Sequence, residues 1–185
     1  MAQRKLNHHD HLLAGLRKRN RDAQFQAYKQ YSVAMLNTAI RIVGNKAEAE
    51  DVLQEAFLAA FTKIDKYKGD STFGAWLRRI VVNKSINILQ KRKVSLVPLD
   101  ELPLDLSGEQ VTESPDTPLW NIDQIMHAVN DLPDGYRVVF SLYLLEGYNH
   151  REISQILNIS EGGSKSQYNR AKKKLREILT TPSYV

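Results

Sequence analysis

Apolar residues recur at steps of three and four along most of this chain, the spacing of amphipathic helices, and no stretch alternates as a strand would. The spacing predicts a first helix from near Asp22 that carries Phe25, Tyr28, Tyr31, Ala34, Met35 and Ile42 and stops at Gly44. Asn45, with Glu48 three positions on, reads as a capping box. It opens a second helix whose apolar stripe is Val52, Leu53, Ala56, Phe57, Ala60, Phe61 and Ile64. After a polar loop at 66–70, Ser71 or Thr72 caps a third helix with Phe73, Trp76, Leu77, Ile80 and Val81 inward, ending near Gln90-Lys91-Arg92-Lys93. Further on, one helix spans about 122–131. Pro133 suits the first turn of another, which carries Val138, Val139, Phe140, Leu142 and Leu145 to a stop at Gly147. The expected fold class is all-α.

The 31 residues from Asn149 to Leu179 carry a more specific pattern. Asn149 and Glu152 form a second capping box ahead of Ile153, Ile156 and Leu157, one apolar helix face. Asn158 tolerates the positive φ that a tight inter-helix turn demands. Ile159 plugs the gap between helices, and Ser160 caps a further helix running to about Leu179. From Ser164 to Ile178 that helix carries Lys165, Arg170, Lys172, Lys173, Lys174 and Arg176 against one acid, Glu177. Two short helices, a tight turn and a cationic second helix describe a helix-turn-helix, whose second helix enters the DNA major groove.

Charge is segregated along the chain. The net charge is +5, yet residues 95–118 hold six acids (Asp100, Glu101, Asp105, Glu109, Glu113, Asp116) and no Lys or Arg, so the remainder carries about +11. Four of the six prolines (Pro98, Pro103, Pro115, Pro118) fall in the same stretch. Proline, like charge and low hydrophobicity read as a flexible linker. The chain is therefore organised as an N-terminal tail (1–21), a first domain (22–94), an acidic linker (95–120) and a second domain (121–181). The cationic remainder fits a polyanion partner or a solubilising surface equally well. There is no cysteine, hence no disulfide or thiolate metal site. Neither a membrane span nor the hydrophobic core of a signal peptide is visible, and a cytoplasmic protein is expected.

Ala49-Glu50-Asp51-Val52-Leu53-Gln54-Glu55-Ala56-Phe57, followed by Phe73-Gly74-Ala75-Trp76-Leu77-Arg78-Arg79-Ile80-Val81-Val82-Asn83, resembles the second conserved region of sigma-70-family factors. Leu132-Pro133-Asp134-Gly135-Tyr136-Arg137-Val138-Val139-Phe140 with the helix-turn-helix resembles their fourth region. With only these two regions and a short connection, the chain resembles an extracytoplasmic-function (ECF) sigma factor. It departs from the family in four places. The recognition helix commonly begins Gly-Thr-Val-Lys-Ser-Arg, where this chain has Gly162-Gly163-Ser164-Lys165-Ser166-Gln167. Loss of the valine removes an apolar contact under the helix, and Gln167 in place of arginine favours adenine over guanine edges. Asn87 stands where an aspartate is frequent.

The resemblance implies three binding surfaces. Asp51, Gln54 and Glu55, with flanking Leu53 and Phe57, dock on a coiled coil of the RNA polymerase largest subunit; from the residues alone they are also an ordinary solvated face with acids near a helix N-terminus. Lys66, Tyr67, Lys68, Ser71 and Thr72, with Trp76, Arg78, Arg79, Asn83, Lys84 and Asn87, meet the melted promoter −10 element, cations following phosphates and a pocket taking an unstacked base. Trp76 also reads as core. Ser160, Glu161, Ser164, Lys165, Gln167 and Tyr168 read bases or phosphates of the −35 element, while Arg151, Arg170 and Lys173 touch phosphates. The implied partners are core RNA polymerase, promoter DNA and an anti-sigma factor, with no small-molecule substrate and no direct membrane insertion.

Other chemistry finds little support. His8, His9 and His11 lie in the polar terminal segment without cysteine, and read as a tail rather than a metal site. No glycine-rich phosphate loop, nucleophile elbow or triad is present, so neither an enzyme nor a cofactor is expected. The alternatives are a free-standing helix-turn-helix regulator and a recombinase or nuclease with an attached reader. The regulator calls for a strand–helix receiver domain, and the enzyme for a nucleophile with an arginine cluster or three converging carboxylates.

Overall fold

The computed structural model describes residues 2–92 and 120–180, and the chain divides into two compact units, 1–93 and 94–185. The acidic stretch lies outside the described residues, apart from Trp120. All described elements are helical.

The first unit comprises α1 (Ala2–Arg17), α2 (Arg21–Val43), α3 (Lys46–Thr62), a 3-10 turn (Ile64–Lys66) and α4 (Phe73–Lys91). Polar caps set each start. The Asn20 side chain accepts from the Asp22 and Ala23 N–H groups at 2.8 and 3.1 Å, Asn45 from Glu48 at 3.1 Å, and Thr72 from Ala75 at 3.2 Å. Gly44 ends α2 in the left-handed region (φ 71°), its N–H bonded to the Ile40 carbonyl at 2.8 Å. The core gathers Leu12 and Leu16 of α1, Ala27, Met35, Ala39 and Val43 of α2, the α3 stripe, and Phe73, Leu77 and Val81 of α4.

Three expectations for this unit are corrected. Where a tail was expected over 1–21, Ala2–Arg17 form a helix, and its Leu12 and Leu16, one turn apart, are buried against α2. Phe25 lies outside the core at 68% exposure and Tyr28 is also exposed, while Ala23 and Ala27 face inward. Small residues occupy the buried positions because α1 and α2 approach closely: a Cβ on Gly15 would lie 2.6 Å from that of Ala23. Gly15→Val is therefore expected to lower stability by about 1–3 kcal/mol through overpacking, read as a fall in thermal midpoint. Finally, the capping box at Asn45 is half-formed. Asn45 caps, but the Glu48 carboxylate pairs with Arg92, whose Nε donates at 2.9 Å and whose Nη1 reaches the Val43 carbonyl at 3.1 Å. The end of α4 is thereby pinned to the α2–α3 corner.

The second unit comprises α5 (Ile122–Asn130), α6 (Asp134–Phe140) running into a wide π turn (Ser141–Leu145), α7 (His150–Leu157) and α8 (Glu161–Leu179). Asn121 with Gln124 and Asn149 with Glu152 form reciprocal capping boxes. Val129, Leu132, Phe140 and Ala171 centre its core, flanked by Ile125, Leu175 and Ile178. Arg137 is buried and satisfied locally, donating to the Leu132 carbonyl at 3.1 Å and to Asp134 at 2.6 Å. In the π turn the Glu146 N–H reaches back five residues to Ser141 at 3.0 Å, and Gly147 leaves it at φ 76°.

Candidate nucleic-acid interface

The turn between α7 and α8 is built as its residues dictate. Asn158 is left-handed (φ 54°, ψ 48°), Ile153 and Leu157 are buried, and Ser160 Oγ accepts from the Gly163 N–H at 2.9 Å. What α8 presents outward differs in part from expectation. Ser164 is fully buried with its Oγ 2.9 Å from His150 Nδ1, and Gln167 is 4% exposed. With Ala171 they form the face turned into the domain, at helical spacing. Direct base reading by Ser164 and Gln167 is therefore corrected: they pack α8 onto its neighbours, and the adenine preference argued for Gln167 has no exposed side chain to act through. Tyr168 is half-buried, its ring 4.6 Å from Tyr143 and 5.8 Å from His150, with Lys172 Nζ 4.9 Å above it. Arg170 is half-buried as well.

Ser160, Glu161, Lys165, Lys173 and Arg151 are exposed, Lys165 pairing with Glu161 at 2.7 Å. Sequence reasoning missed Asn169, exposed one turn beyond Lys165 on the same face. The signal was available: Ser164 and Ala171 lie seven apart and share the inner face, which turns 165, 169, 172, 173 and 176 away from it.

His150 stacks on Tyr143 with centroids 4.3 Å apart and planes at 12°. Burial, then the Lys165 ammonium, holds its imidazole below the ordinary value. Folding thus favours the neutral ring. This contribution to stability is complete above the free-histidine value of about 6.5 and is lost as pH falls through the lowered one. The thermal midpoint of the second unit is expected to drop between pH 7.5 and pH 5, with a smaller drop in His150→Gln.

On the first unit, Lys66, Lys68, Ser71 and Thr72 are exposed around the loop before α4. Tyr67 is not an open aromatic face. It is 5% exposed, its hydroxyl donates to the Ser71 carbonyl, and its ring meets Phe73 at 6.0 Å and half-buried Trp76 at 5.5 Å. Its place in the DNA set is corrected to that of a strut under the loop. Trp76, Ile80, Asn83 and Asn87 follow one stripe of α4, with both asparagines exposed. Arg78 and Arg79 are exposed beside it. Lys84 instead reaches Glu55 on α3 at 2.6 Å, and this bond holds the Glu55 carboxyl below its ordinary value.

The outer face of α3 shows Asp51, Gln54 and Glu55 as expected. Leu53 and Phe57, assigned to the same surface, are 5% and 3% exposed and belong to the core, Phe57 contacting the Tyr28 and Phe61 rings. Their exposure is corrected accordingly: they close the bundle beneath that surface. The apolar residue that does face outward beside Gln54 and Glu55 is Leu58, 67% exposed, which sequence reasoning passed over.

Two helical units, one a helix-turn-helix with a cationic second helix, have the form of a DNA-binding protein. Comparison with known proteins makes the class specific. The family model of sigma-70 region 2 matches residues 27–94, and that of sigma-70 region 4 matches residues 122–175. The ECF RNA polymerase sigma factor SigW of Bacillus subtilis (strain 168) is 29% identical over 177 residues, 89% of this chain and 92% of that one. SigM of the same organism, also an ECF RNA polymerase sigma factor, is 31% identical over 153 residues, 83% and 93% of the two chains. Among solved structures, the sigma factor RpoE of Bartonella quintana, in complex with the anti-sigma factor NepR, shares the fold (TM-score 0.52, 24% identity, 85% and 96% of the two chains). The chain belongs to the sigma-70 family as an ECF-type RNA polymerase sigma factor, an alternative sigma factor that directs promoter recognition. Sigma factors are regulatory subunits of RNA polymerase. No helix of the described residues is long and apolar enough to cross a membrane.

Proposed function

We propose that three exposed surfaces divide promoter recognition among them. Asp51, Gln54, Glu55 and Leu58 on α3 dock on core RNA polymerase. Lys66, Lys68, Ser71 and Thr72, with Arg78, Arg79, Asn83 and Asn87, hold the opened −10 strand. Lys165, Asn169, Lys173 and Arg151, at the helix-turn-helix, engage duplex −35 DNA. The observation that carries this reading is the bias of charge by face: acids beside one exposed leucine on α3, and an excess of exposed cations, with asparagines among them, on α4 and α8. No covalent step is required of the protein. Two modest DNA contacts on one polymerase gain from effective concentration, so neither domain is expected to suffice alone.

The same reading places the protein in the cytoplasm and gives it an anti-sigma factor, with first domain 22–94 joined by α1, and second domain 121–181. RpoE of Bartonella quintana is described with such a partner, NepR; for this chain the partner is part of the proposal. Run-off transcription from a pool of genomic fragments, with core polymerase and with or without the protein, tests the division of labour. Discrete new starts sharing two spaced upstream elements support it. Binding to duplex DNA without new starts would sink the division of labour among these three surfaces.

A further inference from the structure

We propose that the α1–α2 corner forms a second phosphate-binding surface for the promoter strand, continuous with the loop before α4. This rests on the reading of that loop as facing −10 DNA. Arg17 Nη2 donates to the Tyr67 carbonyl at 3.4 Å, which brings the end of α1 against the segment carrying Lys66 and Lys68. Residues 17–22 and 63–70 together hold seven cations and three acids. Lys18, Arg19, Arg21, Lys66 and Lys68 are all exposed and make no ion pair among the described residues. The field of this corner is therefore not cancelled locally, and a polyanion is its complement.

Arg19 adds an independent observation. It sits at φ 55°, one of two non-glycine residues at positive φ among those described. Glycine or asparagine takes that conformation at lower cost. An arginine held there, with its guanidinium exposed, points to a use for the charge beyond the turn itself. The region 2 family model begins at residue 27, so α1 and residues 17–21 stand outside it. Phosphates of a melted strand reaching Lys66 and Lys68 continue onto Lys18, Arg19 and Arg21. Such contacts add affinity and salt dependence without base preference.

The test uses holoenzyme assembled from core polymerase and the full chain, with a pre-melted duplex of a promoter recovered by run-off transcription, titrated across a series of KCl concentrations. Replacing Lys18, Arg19 and Arg21 together by Gln is expected to reduce the slope of log affinity against log salt by about 2, three phosphates at roughly 0.7 each. Core assembly should be unchanged. Arg19→Gly separates charge from fold: it should reduce the slope while leaving the thermal midpoint equal or higher, whereas a merely structural arginine would move stability and leave the slope alone. If the triple variant keeps the wild-type slope while Lys66→Gln with Lys68→Gln lowers it, the corner proposal is overturned and the loop reading stands. If neither pair nor triple changes the slope, both are overturned. Weakened core assembly at an unchanged slope also overturns the proposal, assigning the corner to polymerase.

Discussion

Placing lysine at both Asp51 and Leu58 (Asp51→Lys with Leu58→Lys) is expected to weaken binding to core RNA polymerase by about 100-fold or more, measured by fluorescence anisotropy of labelled protein titrated with core enzyme. Interface energy concentrates in a few desolvated anchors, and an apolar side chain beside acids has the composition of one. Leu58 is 67% exposed and one or two turns from Asp51, Gln54 and Glu55 on the same outer face of α3. Because both positions are exposed, the thermal midpoint should shift little. Phe57→Ala, one residue away, supplies the contrast. It removes a ring from the core at a cost of about 3–5 kcal/mol, and any loss of polymerase binding then follows unfolding of the first unit. Retained binding in the double-lysine variant would remove polymerase docking from α3.

The second large effect concerns promoter choice. Asn169→Ala is expected to lower transcription from cognate promoters by a factor corresponding to about 1–3 kcal/mol, and to relax selection at one base pair of the −35 element. Asparagine offers a paired donor and acceptor that match an adenine edge in the major groove, and Asn169 is exposed on the face carrying Lys165 and Lys173. Lys173→Ala should instead weaken all promoters alike and reduce the salt slope by about 0.9. Gln167→Ala should alter stability and not base preference, since Gln167 is buried. A randomised −35 library transcribed by the three variants separates these outcomes. A base preference that moves with Gln167 and not with Asn169 would reverse the assignment.

Helix order, the Asn158 turn and the caps at Asn45, Thr72, Asn149 and Ser160 were legible because each rests on local chemistry that one or two side chains decide. Helix α1 was not. Among its described residues, Leu12 and Leu16 are the buried ones, in a stretch rich in polar residues, and the burial that holds the helix comes from other elements, chiefly α2. Phe25 misled for a related reason: large aromatics bias a register, whereas close helix contact here selects Ala23 and Ala27 opposite Gly15. At the interfaces, residue type outweighed phase. Ser164 and Gln167 are polar yet occupy the inner phase of α8, and Leu53 and Phe57 share the inner phase of α3. The loss of a valine at position 164, relative to the family pattern, had already marked that position as one beneath the helix. What sequence could not supply was the Glu55–Lys84 bond or the Arg92 pin, since both join residues far apart in the chain.

The wide turn at Ser141–Leu145 amounts to one additional residue threaded into the helix leading toward the DNA-binding motif. An α-helix advances about 100° of rotation per residue, and the widened winding takes up that increment within the turn, so the chain leaves it close to the phase of a regular α-helix one residue shorter. The added residue widens the stretch that carries Tyr143, whose ring reaches His150 at 4.3 Å and Tyr168 at 4.6 Å. The segment thereby carries one more side chain without re-aiming the reader that follows it.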